Sequence, residues 1–218
     1  MSTLIAFLEH REINTVLDVG ANDGQFASGL RSMGYKGRIV SFEPISAVFA
    51  QLSARADGDG SWDVRQLALG PTAGQADINV SQNSVYSSLL PLTRLATEFD
   101  PHAAVVRSES VTVVRLDDIF SEFAGRRVFL KIDTQGFEQG VLEGAPGALA
   151  SILGVQLELP VEHLYANVWT LEDALSFMRR SGFVPAQIHP VNMLSDDPTS
   201  AIEFDVLFRR SAPDAHPS

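Results

Sequence analysis

The densest chemistry in the chain lies in Val16-Leu-Asp-Val-Gly-Ala-Asn-Asp-Gly, where an apolar run stops at Gly20 and polar residues crowd at Asp18, Asn22 and Asp23. Residues at helical spacing follow Gly24, so the segment reads as a strand-to-helix turn. Gly20 lets the backbone approach a ligand closely, and Gly24 lets the next helix pack tightly on a sheet. The helix start offers free N–H groups and a positive dipole end, suited to a carboxylate or phosphate. Against the dinucleotide fingerprint Gly-x-Gly-x-x-Gly, Asn22 stands at the second glycine position and Gln25 at the third. Pyrophosphate needs the bare second glycine, which weighs against a nicotinamide or flavin cofactor. Glu43 ends the next apolar run, just before Pro44. A carboxylate there can take both hydroxyls of a ribose. A ribose without a pyrophosphate is the adenosyl group of S-adenosylmethionine.

Further residues complete that expected cofactor site. Trp62 and Asp63 precede the third apolar run, where the adenine ring would lie, and Gln66 and Ala68 border the same place. Ser88 belongs to a polar stretch able to fold over the cofactor. Asp133 and Glu158 each end a strand-like run, where open α/β sheets place their ligands. Asp133 can orient or deprotonate a hydroxyl, provided burial raises its pKa enough to make it a useful base. Lys131, two residues earlier on the same strand, points to the same face and can pair with a carboxylate. His163 and Tyr165 follow Glu158 in a loop and could act on the acceptor. The candidate catalytic set is therefore Asp133, Glu158, Lys131 and His163. The candidate cofactor set is Asp18, Gly20, Asn22, Asp23, Glu43, Asp63, Gln66, Ala68 and Ser88.

The elements that must position these residues alternate. A short helix through Leu4, Phe7 and Leu8 leads into a strand at Thr15–Val19. A helix from Asp23 to Met33 is closed by Gly34. Strands at Arg38–Glu43 and Val64–Leu69 flank a helix through Val48, Phe49 and Leu52. This order predicts parallel crossover units. The stretch Val80–Glu109 shows no sustained period apart from a helical turn near Leu92–Phe99, and reads as a long functional loop. Strands then follow at Val111–Leu116, Val128–Asp133, Val155–Leu159, Phe183–Ile188 and Ile202–Arg209, with helices at Asp117–Phe123, through Phe137–Leu142 and at Leu171–Ser181. One domain over 1–210 with a disordered tail at 211–218 is expected.

Composition narrows the function classes. The chain has 218 residues, with 16 Lys+Arg against 27 Asp+Glu and a net charge of −11. That balance disfavours nucleic acid and anionic membrane as partners. No cysteine is present, which removes disulfides, thiolate zinc sites and cysteine nucleophiles. No basic n-region opens the chain, and Glu9 and Arg11 come early, so a cytoplasmic protein without transmembrane segment is expected.

Several motifs, in order, resemble those of FkbM-type methyltransferases. They are Leu17-Asp-Val-Gly-Ala-Asn-Asp-Gly, Ser41-Phe-Glu-Pro, Gln66-Leu-Ala-Leu-Gly, Ser87-Ser-Leu, Arg115-Leu-Asp-Asp, Leu130-Lys-Ile-Asp-Thr-Gln-Gly-Phe-Glu and Val141-Leu-Glu-Gly-Ala. The closing Phe204-Asp-Val-Leu-Phe-Arg also looks like theirs. The resemblance implies a class I Rossmann-like fold: a seven-stranded, mostly parallel sheet with the last strand antiparallel and helices on both faces. It also implies S-adenosylmethionine-dependent methyl transfer to oxygen, on a small-molecule hydroxyl of a sugar, glycolipid or polyketide. Where members often carry Asp-Val-Glu-Gly, this chain has Asp133-Thr-Gln-Gly, so a carboxylate is lost at Gln135 and no divalent cation is expected there. A nicotinamide-dependent oxidoreductase and a non-catalytic adenosyl-binding module are the rival classes.

Overall fold

The computed structural model describes residues 3–194 and 197–211. The chain runs α1 (Thr3–His10), β1 (Thr15–Val19), α2 (Gln25–Ser32), β2 (Arg38–Phe42), α3 (Ser46–Ala56) and β3 (Trp62–Arg65). It continues through β4 (Ala68–Leu69), β5 (Gly74–Ser81), α4 (Arg94–Phe99), β6 (Val105–Val114), α5 (Leu116–Ile119) and β7 (Val128–Ile132). Then come α6 (Glu138–Glu143), α7 (Pro146–Leu149), β8 (Gly154–Pro160), α8 (Leu171–Arg180), β9 (Phe183–Met193) and β10 (Ala201–Arg210).

Seven strands form one sheet in the order β3-β2-β1-β7-β8-β10-β9. The pairs from β3 to β8 are parallel, while β10 lies antiparallel between β8 and β9. The order turns back at β1, whose neighbours are β2 and β7, and a crevice opens outside the strand ends at such a switch point. The strands are apolar on both faces because both faces are covered. On one side Val16, Ile39 and Phe129 pack with Leu8 of α1, Leu30 of α2 and Leu52 of α3. On the other, Leu17, Leu130 and Leu157 pack with Val141 of α6, Leu149 of α7 and Met178 of α8. The last helix is fixed at its start by a capping box, in which Thr170 and Asp173 satisfy each other's backbone N–H.

Two expectations are corrected. The third strand, read as Val64–Leu69, is two strands: a tight turn in which the Leu67 N–H donates to the Arg65 carbonyl takes the chain out of the large sheet into a smaller one. That smaller sheet, β4-β6-β5, also claims both ends of the expected long loop. Residues 74–81 pair antiparallel with 105–113, and Ile78, Val80, Val111 and Val113 bury against Ile45 and Val48. The alternation of Ala76, Ile78 and Val80 with polar neighbours is the two-residue period of a half-buried strand. The loop proper shrinks to 82–104, which carries α4 and a 3-10 turn at Ser84–Tyr86. The predicted tail lies, apart from Ser211, outside the described residues. No helix among the described residues is long and apolar enough to cross a membrane.

Candidate active site

A cavity of about 300 Å³ opens outside the carboxyl ends of β1, β2 and β7, with β4 and the segment 84–89 as its outer wall. Gly20 stands at its floor with φ 72, and a side chain there would overlap the backbone carbonyl oxygen of Asp133 on the neighbouring strand. The glycine is thus required first by the sheet, and only then by anything bound above it. Gly24 adopts φ 91 at the start of α2, where a Cβ would press on Leu52 and Trp62.

Glu43 leaves the end of β2 and is almost wholly buried at the cavity wall. Its Oε2 accepts the N–H of Asn22 at 3.0 Å and its Oε1 that of Ile45 at 2.9 Å. Each oxygen keeps a second lone pair. Burial raises its pKa to about 7, against the lowering effect of those two N–H groups and of Lys131. Asn22, at φ 47, also accepts the Ser84 hydroxyl at 3.2 Å, which ties the glycine turn to the outer wall.

A charged ladder crosses the floor. Lys131 is buried, and its Nζ lies 3.2 Å from Asp18 and 3.3 Å from Asp133, and donates to the Gly20 carbonyl at 3.3 Å. Burial by itself lowers the Lys131 pKa, but Asp133 and Asp18 together raise it above its ordinary value. Beyond Asp133 the amide of Gln135 donates to Asp133 Oδ1 at 2.8 Å and to Glu158 Oε2 at 2.9 Å. Burial, followed by Asp133 and Glu203, pushes Glu158 well above the usual carboxylate range. Asp205 on β10, opposite Glu158 in the antiparallel register, also lines the cavity and is raised by burial.

Of the residues singled out from sequence, Gly20, Asn22, Glu43, Ala68, Lys131, Asp133 and Glu158 line this one cavity. The others do not. Asp18 is fully buried, outside the cavity lining, and is engaged by Lys131 and the Ser41 hydroxyl as the lysine's counter-ion. Asp23 turns outward to Arg55 at 2.7 Å. Trp62 and Asp63 begin β3 beside Ile39 and Val40, away from the carboxyl ends, where Trp62 joins the core and Asp63 pairs with Arg38. Gln66 is exposed and donates to Ser46 at 2.9 Å. Ser88 is buried behind the wall and donates to the Gln135 carbonyl at 2.7 Å. His163 is exposed, outside the cavity; the neighbouring Tyr165 points inward instead, its hydroxyl 2.9 Å from Gln135 Oε1. Reading missed Gln156 and Asp205 as cavity residues. The signal was present in the polar positions 156 and 158 of an otherwise buried strand, and in Asp205 among the apolar residues of the last one.

Among the described residues no group of three or more His, Asp or Glu is placed to hold a metal ion. A model of the methyltransferase FkbM domain matches residues 18–185. The chain belongs to the FkbM methyltransferase family. S-adenosylmethionine is accordingly its methyl donor. No curated protein matches the chain in sequence. Solved structures share the fold of this FkbM protein at low identity. The methyltransferase domain of bacterial CtHen1-C aligns with TM-score 0.51 and 13% identity over 96% of both chains. Magnesium protoporphyrin IX methyltransferase (ChlM) from Synechocystis PCC 6803, solved with bound SAM, aligns with TM-score 0.51 and 10% identity over 96% of this chain and 77% of that one. Lys131 is the single basic residue of a lining that also holds Glu43, Asp133, Glu158 and Asp205.

Proposed function

We propose that the chain is an S-adenosylmethionine-dependent O-methyltransferase acting on a hydroxyl of a sugar, glycolipid or secondary metabolite. The observation that carries this reading is that one cavity joins the Gly20–Asn22 turn and Glu43 to the carboxylates of Asp133 and Glu158. Glu43 would hold the ribose hydroxyls through its remaining lone pairs, with Asn22 beside it. Ile45, Leu67 and Leu69 offer an apolar wall to the adenine ring. S-adenosylmethionine supplies a methyl group already activated on a sulfonium sulfur, so the protein's share is positioning and the handling of one proton. Asp133 and Glu158 would orient the acceptor hydroxyl, and a carboxylate whose pKa burial has raised is the better base for it.

The test is methyl transfer from isotopically labelled donor to a panel of sugars, glycolipids and polyketides, with the product's new bond identified by NMR. A methyl ether is the expected product. A methylamine or methyl ester, or no transfer to any hydroxyl acceptor, would overturn the assignment to a hydroxyl.

A further inference from the structure

Gln135 joins the cavity carboxylates Asp133 and Glu158 to the Tyr165 hydroxyl through one side-chain amide. It follows Asp133 in a turn and adopts φ 56, a region that a non-glycine residue enters only when its surroundings hold it there. The restraints are visible. Glu138 Oε1 accepts the N–H groups of Thr134 at 2.9 Å and Gly136 at 3.2 Å, and the Ser88 hydroxyl donates to the Gln135 carbonyl at 2.7 Å. The side-chain amide then spends both N–H donors on carboxylates, Asp133 Oδ1 and Glu158 Oε2, while its Oε1 accepts from Tyr165. A flipped amide would set its oxygen against two carboxylates, so only this orientation is favourable.

Asp133 has one oxygen on Gln135 and the other on Lys131. Glu158 is held by one oxygen only, and among the described residues no protein donor reaches its Oε1. We propose that Gln135 is a positioning residue, whose amide clamps Asp133 and Glu158 together and leaves Glu158 Oε1 to receive the acceptor's proton. This rests on the O-methyltransferase reading above. In that step the acceptor O–H bond breaks and its proton passes to Oε1, the electron pair left on oxygen forms the bond to the methyl group, and the methyl–sulfur bond of the donor breaks with its pair staying on sulfur, so that S-adenosylhomocysteine leaves. A neutral amide suits the position. A charged residue there would add a third negative group or trap both carboxylates in ion pairs.

The groups facing Glu158 set how strongly the clamp should register. They are Asp133, Glu138 on α6, and Glu203 and Asp205 on β10, with the Tyr86 and Tyr165 hydroxyls nearby. The charges of Lys131 on β7 and His189 on β9 act on Asp205 in the opposite sense, lowering its pKa against the effect of burial. An N–H donated to the ionised form lowers a carboxyl's pKa, so removing it must raise the Glu158 midpoint.

Infrared difference spectroscopy of the protonated-carboxyl band tests the clamp without an acceptor, on the full chain saturated with S-adenosylhomocysteine. The component of the band that is lost in Glu158→Gln, as distinct from those of Glu43 and Glu138, should have its midpoint about one pH unit or more higher in Gln135→Leu than in the wild type. The dissociation constant for S-adenosylhomocysteine should stay within about threefold, and the acid limb of kcat should move by the same amount as the band. Should Gln135→Leu fail to fold, Gln135→Asn, one methylene too short to reach both carboxylates, carries the same expectation. A Glu158 component whose midpoint is unmoved in every folded variant, or a band left unchanged by Glu158→Gln, overturns the clamp even if the wild type makes methyl ethers. A band that moves in an enzyme making no ether leaves the clamp standing and removes the O-methyltransferase reading instead.

Discussion

Replacing Glu43 with glutamine should weaken S-adenosylhomocysteine binding by roughly 10- to 150-fold. The figure follows from about 1.5–3 kcal/mol for hydrogen bonds to a charged group, at 1.4 kcal/mol per decade. The side chain keeps its volume, but its new NH₂ faces either the Asn22 or the Ile45 N–H that the carboxylate now accepts. Part of the loss will therefore come from the turn, and a thermal melt on the same sample tells how much. The proton linkage separates the two contributions. Burial raises Glu43 to about 7, whereas ribose hydroxyls donate to the ionised form. Between pH 8 and pH 6 the ionised fraction falls about tenfold, and wild-type affinity should fall with it. In Glu43→Gln the curve should be flat over that range. Calorimetric titration of both proteins across it decides the matter. A folded variant with the wild-type dissociation constant and the wild-type pH slope would refute the ribose assignment.

Asp133→Asn should leave S-adenosylhomocysteine affinity within about threefold and cut turnover by about 10²–10⁴, the scale for a positioned acid–base group; lost affinity with unchanged turnover at saturating donor would make Asp133 a binding residue. Lys131→Met should cost about 3–5 kcal/mol in urea unfolding, because it strands the fully buried Asp18 as an uncompensated charge. An unaltered midpoint would contradict the structural role given to the lysine. Gly20→Val should destabilise the whole fold by about 3 kcal/mol or more, since it adds strain at φ 72 to an overlap with the Asp133 carbonyl; a normal melt with binding alone abolished would show the turn to be purely a ligand cradle. Glu138, raised to about 7 by burial, should make stability fall by about 3 kcal/mol as pH rises from about 4.5 through 7, because the unfolded chain gives up its proton first. Urea unfolding at pH 5 and pH 8 should show that fall reduced in Glu138→Gln, which keeps the oxygen that Thr134 and Gly136 donate to.

Most of the sheet was legible because its strands are short apolar runs closed by Gly or Pro, and because strand and helix alternate. The glycine turn and Glu43 were legible for the same reason: they sit where two such runs stop. The failures have identifiable causes. Trp62 and Asp63 were assigned to the adenine because the third strand was placed two residues late, which carried its opening residues to the wrong end of the sheet. The Ile78–Val80 alternation was passed over for its polar neighbours, although a strand covered on one face looks like that.

Asp18 lies outside the cavity lining for a reason that strand parity already contains. Side chains alternate along a strand, so Asp18 shares a face with Val16, and Lys131 shares one with Phe129. Asp18 and Lys131 are register partners on adjacent parallel strands, and Val16 and Phe129 belong to the same core cluster beneath α2. Their parity sends both charges toward α2, where Asp18 is fully closed off and compensated by Lys131, whose Nζ also reaches Asp133 at the cavity floor. Closeness in sequence to the glycine turn suggested a ligand contact, but strand parity outweighs it. Residues beyond the strand ends escape that rule, which is why Asn22, Glu43 and Asp133 reach the cavity. Gln135 could not be deduced in the same way. Its partners Asp133, Glu158, Tyr165 and Ser88 come from four segments, and only the closed sheet brings them to one amide. What the sequence offered was a glutamine two residues after Asp133, and its meaning depended on neighbours that no local pattern names.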